Sequence, residues 1–210
     1  MTVVAERVSL GREPGIRPTT MSSAESVGYR VGTGADALCV SVLATQVFLD
    51  TYAAEGIRPD LAREVLSGYS VEAFTARLAA HATTFILAER NGHLLGSAEV
   101  TSHRPCPSSA DVGDVELVRL YVLRPFQRMG IGRQLLRHAE LEASKAGAAT
   151  LWLAVWALNE TALAFYRRHG YETVGTSEHV FEDRTYKTKI LAKGLRATCA
   201  ARATNPRDAA

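Results

Sequence analysis

The sequence has few cysteines, little excess charge of either sign and no long apolar run, and each shortage excludes a class of protein. Three scattered cysteines without a CxxC pair argue against a disulfide framework and a structural zinc site, so we expect no metal. A net charge of +2 is small for a protein that neutralises phosphates, so we expect no nucleic-acid partner. No apolar run approaches the ~18 to 20 residues that span a bilayer, so we expect no membrane partner. A cytoplasmic protein agrees with all three shortages.

The pattern of apolar residues predicts one α/β (α+β) domain at residues 25–196, between flexible tails at 1–24 and 197–210. The first helix is predicted at 36–52, with one buried stripe of Cys39, Val42, Leu43 and Val47. Two short helices should follow it. The predicted strands are 29–31, 83–89, 94–101, 115–122, 150–156, 171–176 and 185–191, with helices from about 132 to 146 and from 159 to 170. This order implies a mixed sheet with helices on both sides.

The most informative segment is Gln127-Arg128-Met129-Gly130-Ile131-Gly132, which follows a predicted strand and opens a predicted helix. Its glycines let the backbone approach a ligand, and a helix N-terminus carries about half a positive charge. Arg128 and Arg133 add full positive charges nearby. The segment therefore predicts a turn that binds a pyrophosphate. The alternative is a plain strand–turn–helix junction whose glycines only allow tight packing.

Two common phosphate-binding patterns do not fit this turn. A Walker loop needs Gly-Lys-Ser/Thr after the glycines, where this chain has Gly132-Arg133-Gln134. A dinucleotide-binding fingerprint needs a third small residue at Leu135 and an acidic residue at the end of the next strand, where Trp156 stands.

The third pattern, Q/R-x-x-G-x-G/A, belongs to the Gcn5-related N-acetyltransferase (GNAT) superfamily. The run VELVRLYVLRPFQRMGIGRQLL resembles its central motif, and NETALAFYRRHGY resembles its next motif, over roughly residues 83–193. Within the superfamily, LWLAVWALNETALAFYRRHGY and the early segment VFLDTYAAEG are similar to bacterial spermidine/spermine (polyamine) acetyltransferases. The resemblance implies a mostly antiparallel central sheet of about six to seven strands, with helices on both faces. It also implies a V-shaped splay between the two central parallel strands.

The resemblance implies acetyl-CoA as co-substrate. Its pantetheine arm would pair with the exposed backbone of Leu120, Tyr121 and Val122. The Val122 N–H would stabilise the oxyanion, a contribution of about 3 to 4 kcal/mol per donor. The pyrophosphate would be held by the turn residues Gln127, Arg128, Met129, Gly130, Ile131, Gly132 and Arg133. Asn159 would contact the cofactor arm as well as cap its helix, or act as a cap alone.

Tyr166 follows Asn159 by two helical turns, so both side chains share a helix face. In the superfamily the matching tyrosine protonates the departing thiolate. A phenol of pKa ~10 can protonate a thiolate whose conjugate acid has a pKa of ~8.5 as that charge develops. The alternative is a core aromatic that packs beside Phe165.

Glu116 is a carboxylate in an apolar strand, where burial is costly without a partner or a function. Even spacing predicts that Glu116 shares one side of the strand with Val118, Leu120 and Val122. Several superfamily members use a glutamate here to take the proton from the amine, directly or through water. The alternative is a salt bridge with Arg119 or another neighbour.

We therefore expect an acetyltransferase that acts on a primary amine of a small molecule, such as a polyamine, by direct attack in a ternary complex. The alternatives are an amine antibiotic, a protein amine, or a regulator that binds acyl-CoA without turnover. A homodimer is one assembly that we consider.

The acceptor site has weaker candidates. Trp156 could wall it, although Trp152 and Trp156 fit the core equally well, and Cys106 lacks a helper base. Acidic side chains facing a cationic acceptor could come from Asp50, Glu55, Asp60, Glu182 and Asp183, the last two near His179. Solvated loops are the alternative for these residues, and they do not form a metal-ligand set. Lys187 and Lys189 depart from the polyamine-group pattern.

Overall fold

The computed structural model describes residues 26–181 and 184–195, so the predicted tails, Glu182 and Asp183 lie outside the described residues. The side chain of His179 is outside them too. The elements are β1 (Gly28–Val31), α1 (Ala37–Tyr52), α2 (Pro59–Gly68), α3 (Val71–Ala79), β2 (Thr83–Arg90), β3 (His93–Thr101), β4 (Glu116–Val122), α4 (Ile131–Lys145), β5 (Thr150–Trp156), α5 (Glu160–Arg168), β6 (Glu172–Phe181) and β7 (Arg184–Gly194). Short 3₁₀ turns precede α1, β4 and α4.

The strands form one seven-stranded sheet in the order β1-β2-β3-β4-β5-β7-β6. Its strand pairs are antiparallel except β4–β5, which is parallel. The parallel pair is in register only where Glu116 meets Trp152, and beyond that point β4 and β5 leave a gap between their carboxyl ends. The predicted mixed sheet with a splay between its central parallel strands is confirmed.

Two hydrophobic layers hold the helices on opposite faces of this sheet. On one face, Leu135 of α4 and Leu163 of α5 pack with Leu153 of β5. On the other face, the helices α1–α3 pack on the amino-terminal strands, with Phe74 of α3 and Leu87 of β2 fully buried. The predicted helices on both sides are therefore confirmed.

The buried face of α1 differs from the predicted stripe. Leu43 is buried as expected, but Cys39 and Val42 are exposed. The helix is apolar nearly all round, so its sequence period does not select one face. The sheet packs instead on a row with small members, which lets the helix approach closely: Ala37, Val40, Ser41, Leu43, Ala44 and Phe48.

The segment Gly34–Tyr52 is long and apolar enough to cross a membrane by length and composition, with a mean hydropathy of 1.2. The expectation that no run approaches this length was wrong. A core helix of a soluble protein meets the same test, and α1 buries Val40 and Phe48 against its neighbours.

The closing hairpin is longer than the sequence predicts. β6 runs to Phe181 and β7 starts at Arg184, where the expected strands covered 171–176 and 185–191. The added part carries many polar residues, which hid it from hydrophobic periodicity. Its hydrogen bonds come from the partner strand, as when the hydroxyls of Ser177 and Thr188 meet at 2.8 Å.

Candidate active site

The edge of β4 that faces the gap carries backbone groups without a partner strand. Gly96 pairs with Val122, and the N–H of Leu123 donates to the carbonyl of Leu95 at 3.0 Å. Alternate residues of an antiparallel strand direct their N–H and C=O to the same neighbour. Leu120 and Val122 therefore direct theirs away from β3 and into the gap.

Tyr121 differs from its two neighbours on β4. By the same alternation its backbone faces β3, so the structure does not bring it to the gap. Its hydroxyl lies 3.1 Å from that of Tyr69, on the side of the sheet covered by α1–α3. In the gap itself, the side-chain amide of Gln127 donates to the carbonyl of Val122 at 3.1 Å. The Val122 N–H is thus the donor that an oxygen entering the gap would meet.

The turn before α4 exposes backbone at the start of a helix. Gly130 is the N-cap of α4 with φ of +83°, and Arg128 also has a positive φ of +62°. A Cβ at Gly130 would meet nothing within 4 Å. Arg128, Met129 and Arg133 are exposed, whereas the side chain of Ile131 is buried in the core. Open N–H groups, a helix N-terminus and two guanidinium groups fit a pyrophosphate.

Helix α5 lies against the same turn. A Cβ at Gly132 would lie 3.8 Å from the Phe165 ring and from the Val122 side chain. The Asn159 side chain accepts a hydrogen bond from the Ala162 N–H at 3.0 Å, so its predicted role as a helix cap is confirmed.

Tyr166 packs in the core, as one of its two sequence interpretations predicts. Its ring packs edge-on against Phe165 and Tyr171, with centroids 5.2 and 5.6 Å away, and the residue is 8% exposed. No hydrogen bond joins its hydroxyl to any residue that the structure describes. Burial raises the pKa of Tyr166, so the phenol stays protonated. A protonated hydroxyl without a hydrogen-bond partner among the described residues can donate a proton.

A β-bulge changes the side of the strand on which Glu116 lies. In the β3–β4 ladder Glu99 pairs with Arg119 and Val100 with Leu117, which leaves Val118 as an extra residue. The extra residue reverses the alternation of side chains. The predicted common side for Glu116, Leu120 and Val122 is therefore wrong.

Glu116 lies instead on the side of the sheet that faces α1–α3. It is in register with Trp152 of β5, and neighbours in register point to the same face. Ala154 and Trp156 follow Trp152 on that face at even spacing. Glu116 thus shares a face with the carboxyl end of β5.

The carboxylate of Glu116 is 9% exposed in a charged environment. Its Oε2 lies 2.8 Å from Arg104 Nε as an ion pair, yet this buried oxygen accepts no hydrogen bond from any described residue. Arg119 pairs with Glu99 at 2.7 Å, so the salt-bridge partner of Glu116 is Arg104 instead of Arg119. Burial raises the pKa of Glu116, the Glu99 charge adds to this, and Arg104 opposes it.

Arg104 is held in place by its backbone. Its N–H donates to the carbonyl of Asp114 at 2.8 Å, and its carbonyl accepts from Trp152 Nε1 at 2.9 Å. Trp152 is therefore a core residue that packs with Cys106 and Ile190. An arginine in a loop gives no periodic signal, so the sequence did not point to Arg104. Glu99 was also missed, although a second carboxylate in an apolar strand is a signal that could have revealed it.

A cavity of about 250 Å³ lies between the first helices and the ends of β5 and β7. Trp156 lines it, as one of the sequence interpretations allows. Tyr52, Glu64 and Tyr186 also line it and were missed by the sequence reasoning. The full lining is Phe48, Tyr52, Leu61, Glu64, Ala154, Trp156, Tyr186 and Thr188.

Of the acidic candidates from the sequence, the three that the structure describes do not line this cavity. The carboxylate of Asp60 accepts two hydrogen bonds from Arg58, at 3.2 and 2.9 Å. Asp50 and Glu55 are exposed and do not line it. Among residues 26–181 and 184–195, no group of three or more His, Cys, Asp or Glu side chains could hold a metal.

The fold places an open edge of β4 beside an exposed helix N-terminus, and the groups there suit a pyrophosphate-containing co-substrate. Residues 52–171 match the Acetyltransferase (GNAT) family, and the chain belongs to that family. It is an acetyltransferase.

Two relatives are also acetyltransferases, and a solved structure shares the fold. An uncharacterised N-acetyltransferase from Lactobacillus delbrueckii subsp. lactis is 27% identical over 72% of this chain and 87% of its own length. Streptothricin acetyltransferase from Streptomyces lavendulae is 34% identical over 49% of this chain and 51% of its own. The PaiA N-acetyltransferase from Thermoplasma acidophilum, solved with coenzyme A, superposes with a TM-score of 0.65 at 22% identity, over 80% of this chain and 99% of its own.

Proposed function

We propose that the protein transfers the acetyl group of acetyl-CoA to a primary amine of a small molecule, by direct attack in a ternary complex. The observation that carries the proposal is the Val122 N–H. It is directed into a strand gap beside an open helix N-terminus, with a buried acid and a buried carboxylate on neighbouring elements. Acetyl-CoA supplies an acetyl thioester.

The chain's own residues divide into two holding regions. The backbone of the turn at 127–133, with Arg128 and Arg133, holds the pyrophosphate. Leu120 and Val122 offer N–H and C=O groups to the pantetheine arm, in the manner of an added strand. The Val122 N–H also donates to the carbonyl oxygen that gains negative charge during the reaction.

Two proton transfers remain. An alkylamine is mostly protonated at neutral pH, and only its neutral form is a nucleophile. Glu116 is the proposed base, because its raised pKa and unsatisfied oxygen suit a group that accepts and releases a proton. Tyr166 is the proposed acid, because its raised pKa keeps the hydroxyl protonated and able to give a proton to the departing thiolate.

The finer expectation of a polyamine acceptor rests on the sequence resemblance. Lys187 and Lys189 alternate with the cavity-lining Tyr186 and Thr188, so they lie on the opposite face of β7. Their positive charges are therefore a weaker argument against a polyamine acceptor than the sequence suggested. An amine antibiotic is a second acceptor, since one relative is named for streptothricin.

Two remaining expectations also stand as proposals. A cytoplasmic location is supported by the free thiols of Cys39 and Cys106. A homodimer would be tested by light scattering of the purified chain.

The deciding experiment changes the charge at the start of α4. Gly132→Asp should weaken coenzyme A binding at least tenfold in calorimetry and abolish thiol release with an amine panel. Its carboxylate would repel the pyrophosphate. An acid at a helix N-terminus is electrostatically favourable, but the new side chain must also fit beside Phe165 and Val122. Gly132→Asn is the matched control for side-chain bulk, and it should bind coenzyme A much more tightly than Gly132→Asp does. Equal affinity for wild type and Gly132→Asp would overturn the site. Binding without turnover would identify a regulator.

A further inference from the structure

The cavity on the α1 side of the sheet adjoins the gap where the reaction takes place. Tyr52 lies between the cavity and the gap. Its ring is 5.5 Å from that of Trp156, and its phenol is close enough to Tyr121 on β4 to interact with it electrostatically. Trp156 ends β5 at one wall of the gap. Glu116 shares its face of the sheet with Ala154 and Trp156. Glu116 does not itself line the cavity, so a molecule there would lie beside the carboxyl end of β5, at one wall of the gap.

The walls of the cavity are mainly aromatic. The ring of Phe48 lies 4.9 Å from that of Tyr52, so Phe48, Tyr52 and Trp156 form one continuous curved surface from α1 to β5. Leu61 and the small Ala154 complete the apolar part. Burial raises the pKa of Tyr52, so that phenol is neutral. Flat or branched apolar groups bury well against such a surface.

Among the residues that the structure describes, the charges around the cavity do not suit a ligand with several positive charges. Glu64 is the carboxylate in the lining, and the Arg77 guanidinium is its electrostatic neighbour. Asp60 is neutralised by Arg58, which also donates to the hydroxyl of Tyr186 at 3.0 Å. One carboxylate at the rim can attract one ammonium group, whereas a polycation would need several.

The volume matches one ring with a short stem. A cavity of about 150 Å³ holds benzene, and this one has about 250 Å³. We propose that it binds an aromatic or branched apolar group of the acceptor, so that the substrates are primary amines bearing such a group on a short linker. This inference rests on the proposed function and narrows its acceptor.

The test fills the cavity. Ala154 is exposed within it, so Ala154→Leu should remove space without removing a contact. In wild type, kcat/KM for 2-phenylethylamine should exceed the values for ethylamine and for spermidine at least tenfold. Ala154→Leu should lower the ratio of phenylethylamine to ethylamine at least tenfold, because pocket contacts of this size discriminate by ~10- to 200-fold. Ala80 is exposed outside the cavity, so Ala80→Leu serves as the matched control and should keep the wild-type ratio of phenylethylamine to ethylamine.

Calorimetry separates this inference from the proposed function. Coenzyme A should bind wild type and Ala154→Leu equally, which shows that the variant is folded. With coenzyme A present, 2-phenylethylamine should bind wild type and lose affinity in Ala154→Leu, whether or not turnover occurs. Amine acetylation with spermidine preferred, or with a ratio that Ala154→Leu leaves unchanged, would overturn the cavity assignment and leave the acetyltransferase standing. Absence of all turnover with cavity binding intact would overturn only the proposed function.

Discussion

Gly96 of β3 lies directly opposite Val122 of β4, and the pair needs a residue without a side chain. A Cβ on Gly96 would come within 2.6 Å of the Tyr121 carbonyl oxygen. The same atom would lie 3.1 Å from Leu135 and 3.2 Å from the Val122 side chain. The position of the strand edge at the gap therefore depends on this glycine.

Gly96→Ala should destabilise the fold by about 1 to 3 kcal/mol, because an added methyl group overpacks this contact. It should also raise the KM for acetyl-CoA or lower kcat, since β4 must shift. Denaturant unfolding and steady-state kinetics measure the two effects. Gly34→Ala is the matched control, because a Cβ there meets nothing within 4 Å, and it should behave as wild type. Wild-type kinetics in Gly96→Ala would show that β4 does not depend on the close approach.

Tyr166→Phe should lower kcat by about 100- to 10,000-fold while the KM for acetyl-CoA and the melting temperature change little. The change removes only the proton donor and leaves the ring in the core. Tyr171→Phe is the matched control, because it also removes a buried phenol, one that donates to Glu140 at 3.3 Å. A kcat near the wild-type value in Tyr166→Phe would remove the acid assignment.

Glu116 should give the acid limb of the pH profile. Its pKa is raised above the ordinary glutamate value, first by burial, and the deprotonated form is the active base. The rate should therefore fall as pH drops through that pKa, and Glu116→Gln should lose this limb together with at least about 100-fold in kcat. Arg104→Gln should move the limb to higher pH, because it removes the cation that favours the carboxylate. An unshifted limb in both variants would exclude Glu116.

The charge of Glu116 should favour activity but not folding stability. A folded-state pKa above the unfolded value means that the group favours folding below the unfolded pKa, and that this contribution is lost as pH rises through the folded pKa. At neutral pH Glu116→Gln should therefore be at least as stable as wild type. Thermal unfolding at pH 7 measures this, and a marked loss of stability would assign the carboxylate a structural ion-pair role with Arg104.

Asn159 can be tested for its two roles separately. Asn159→Ala should destabilise the protein by about 1 kcal/mol, because it removes the cap that accepts from Ala162. Asn159→Ser keeps a capping oxygen and should keep that stability. If Asn159 also contacts the cofactor arm, the serine variant should still raise the KM for acetyl-CoA several-fold. An unchanged KM would leave the cap as its only role.

Local patterns in the sequence predicted the elements that local interactions form. The strand–turn–helix segment around Gly130 and Gly132 was predicted correctly, because glycine spacing and helix polarity act over a few residues. Thr33 and Asp36 have capping-box spacing, and the Thr33 N–H donates to the Asp36 carboxylate at 2.8 Å. The cap at Asn159 was predicted for the same reason.

The side of β4 on which Glu116 lies could not be predicted in this way. Even spacing along a strand holds until an extra residue interrupts it, and the bulge at Val118 follows from the pairing with β3. The buried face of α1 was mispredicted for a related reason, because an apolar helix takes its face from the sheet it meets. Both depend on partners distant in the chain.

By itself, the sequence determined the family and located the exposed turn before α4 and the candidate acid Tyr166, since each lies within one short motif. Only the tertiary structure decided that Arg104 pairs with Glu116, and that Tyr52, Glu64, Trp156 and Tyr186 line one cavity. Those residues come from separate helices, strands and loops. They meet because burial of the two apolar layers fixes where each element packs. No local sequence pattern predicts which residues of distant elements come into contact.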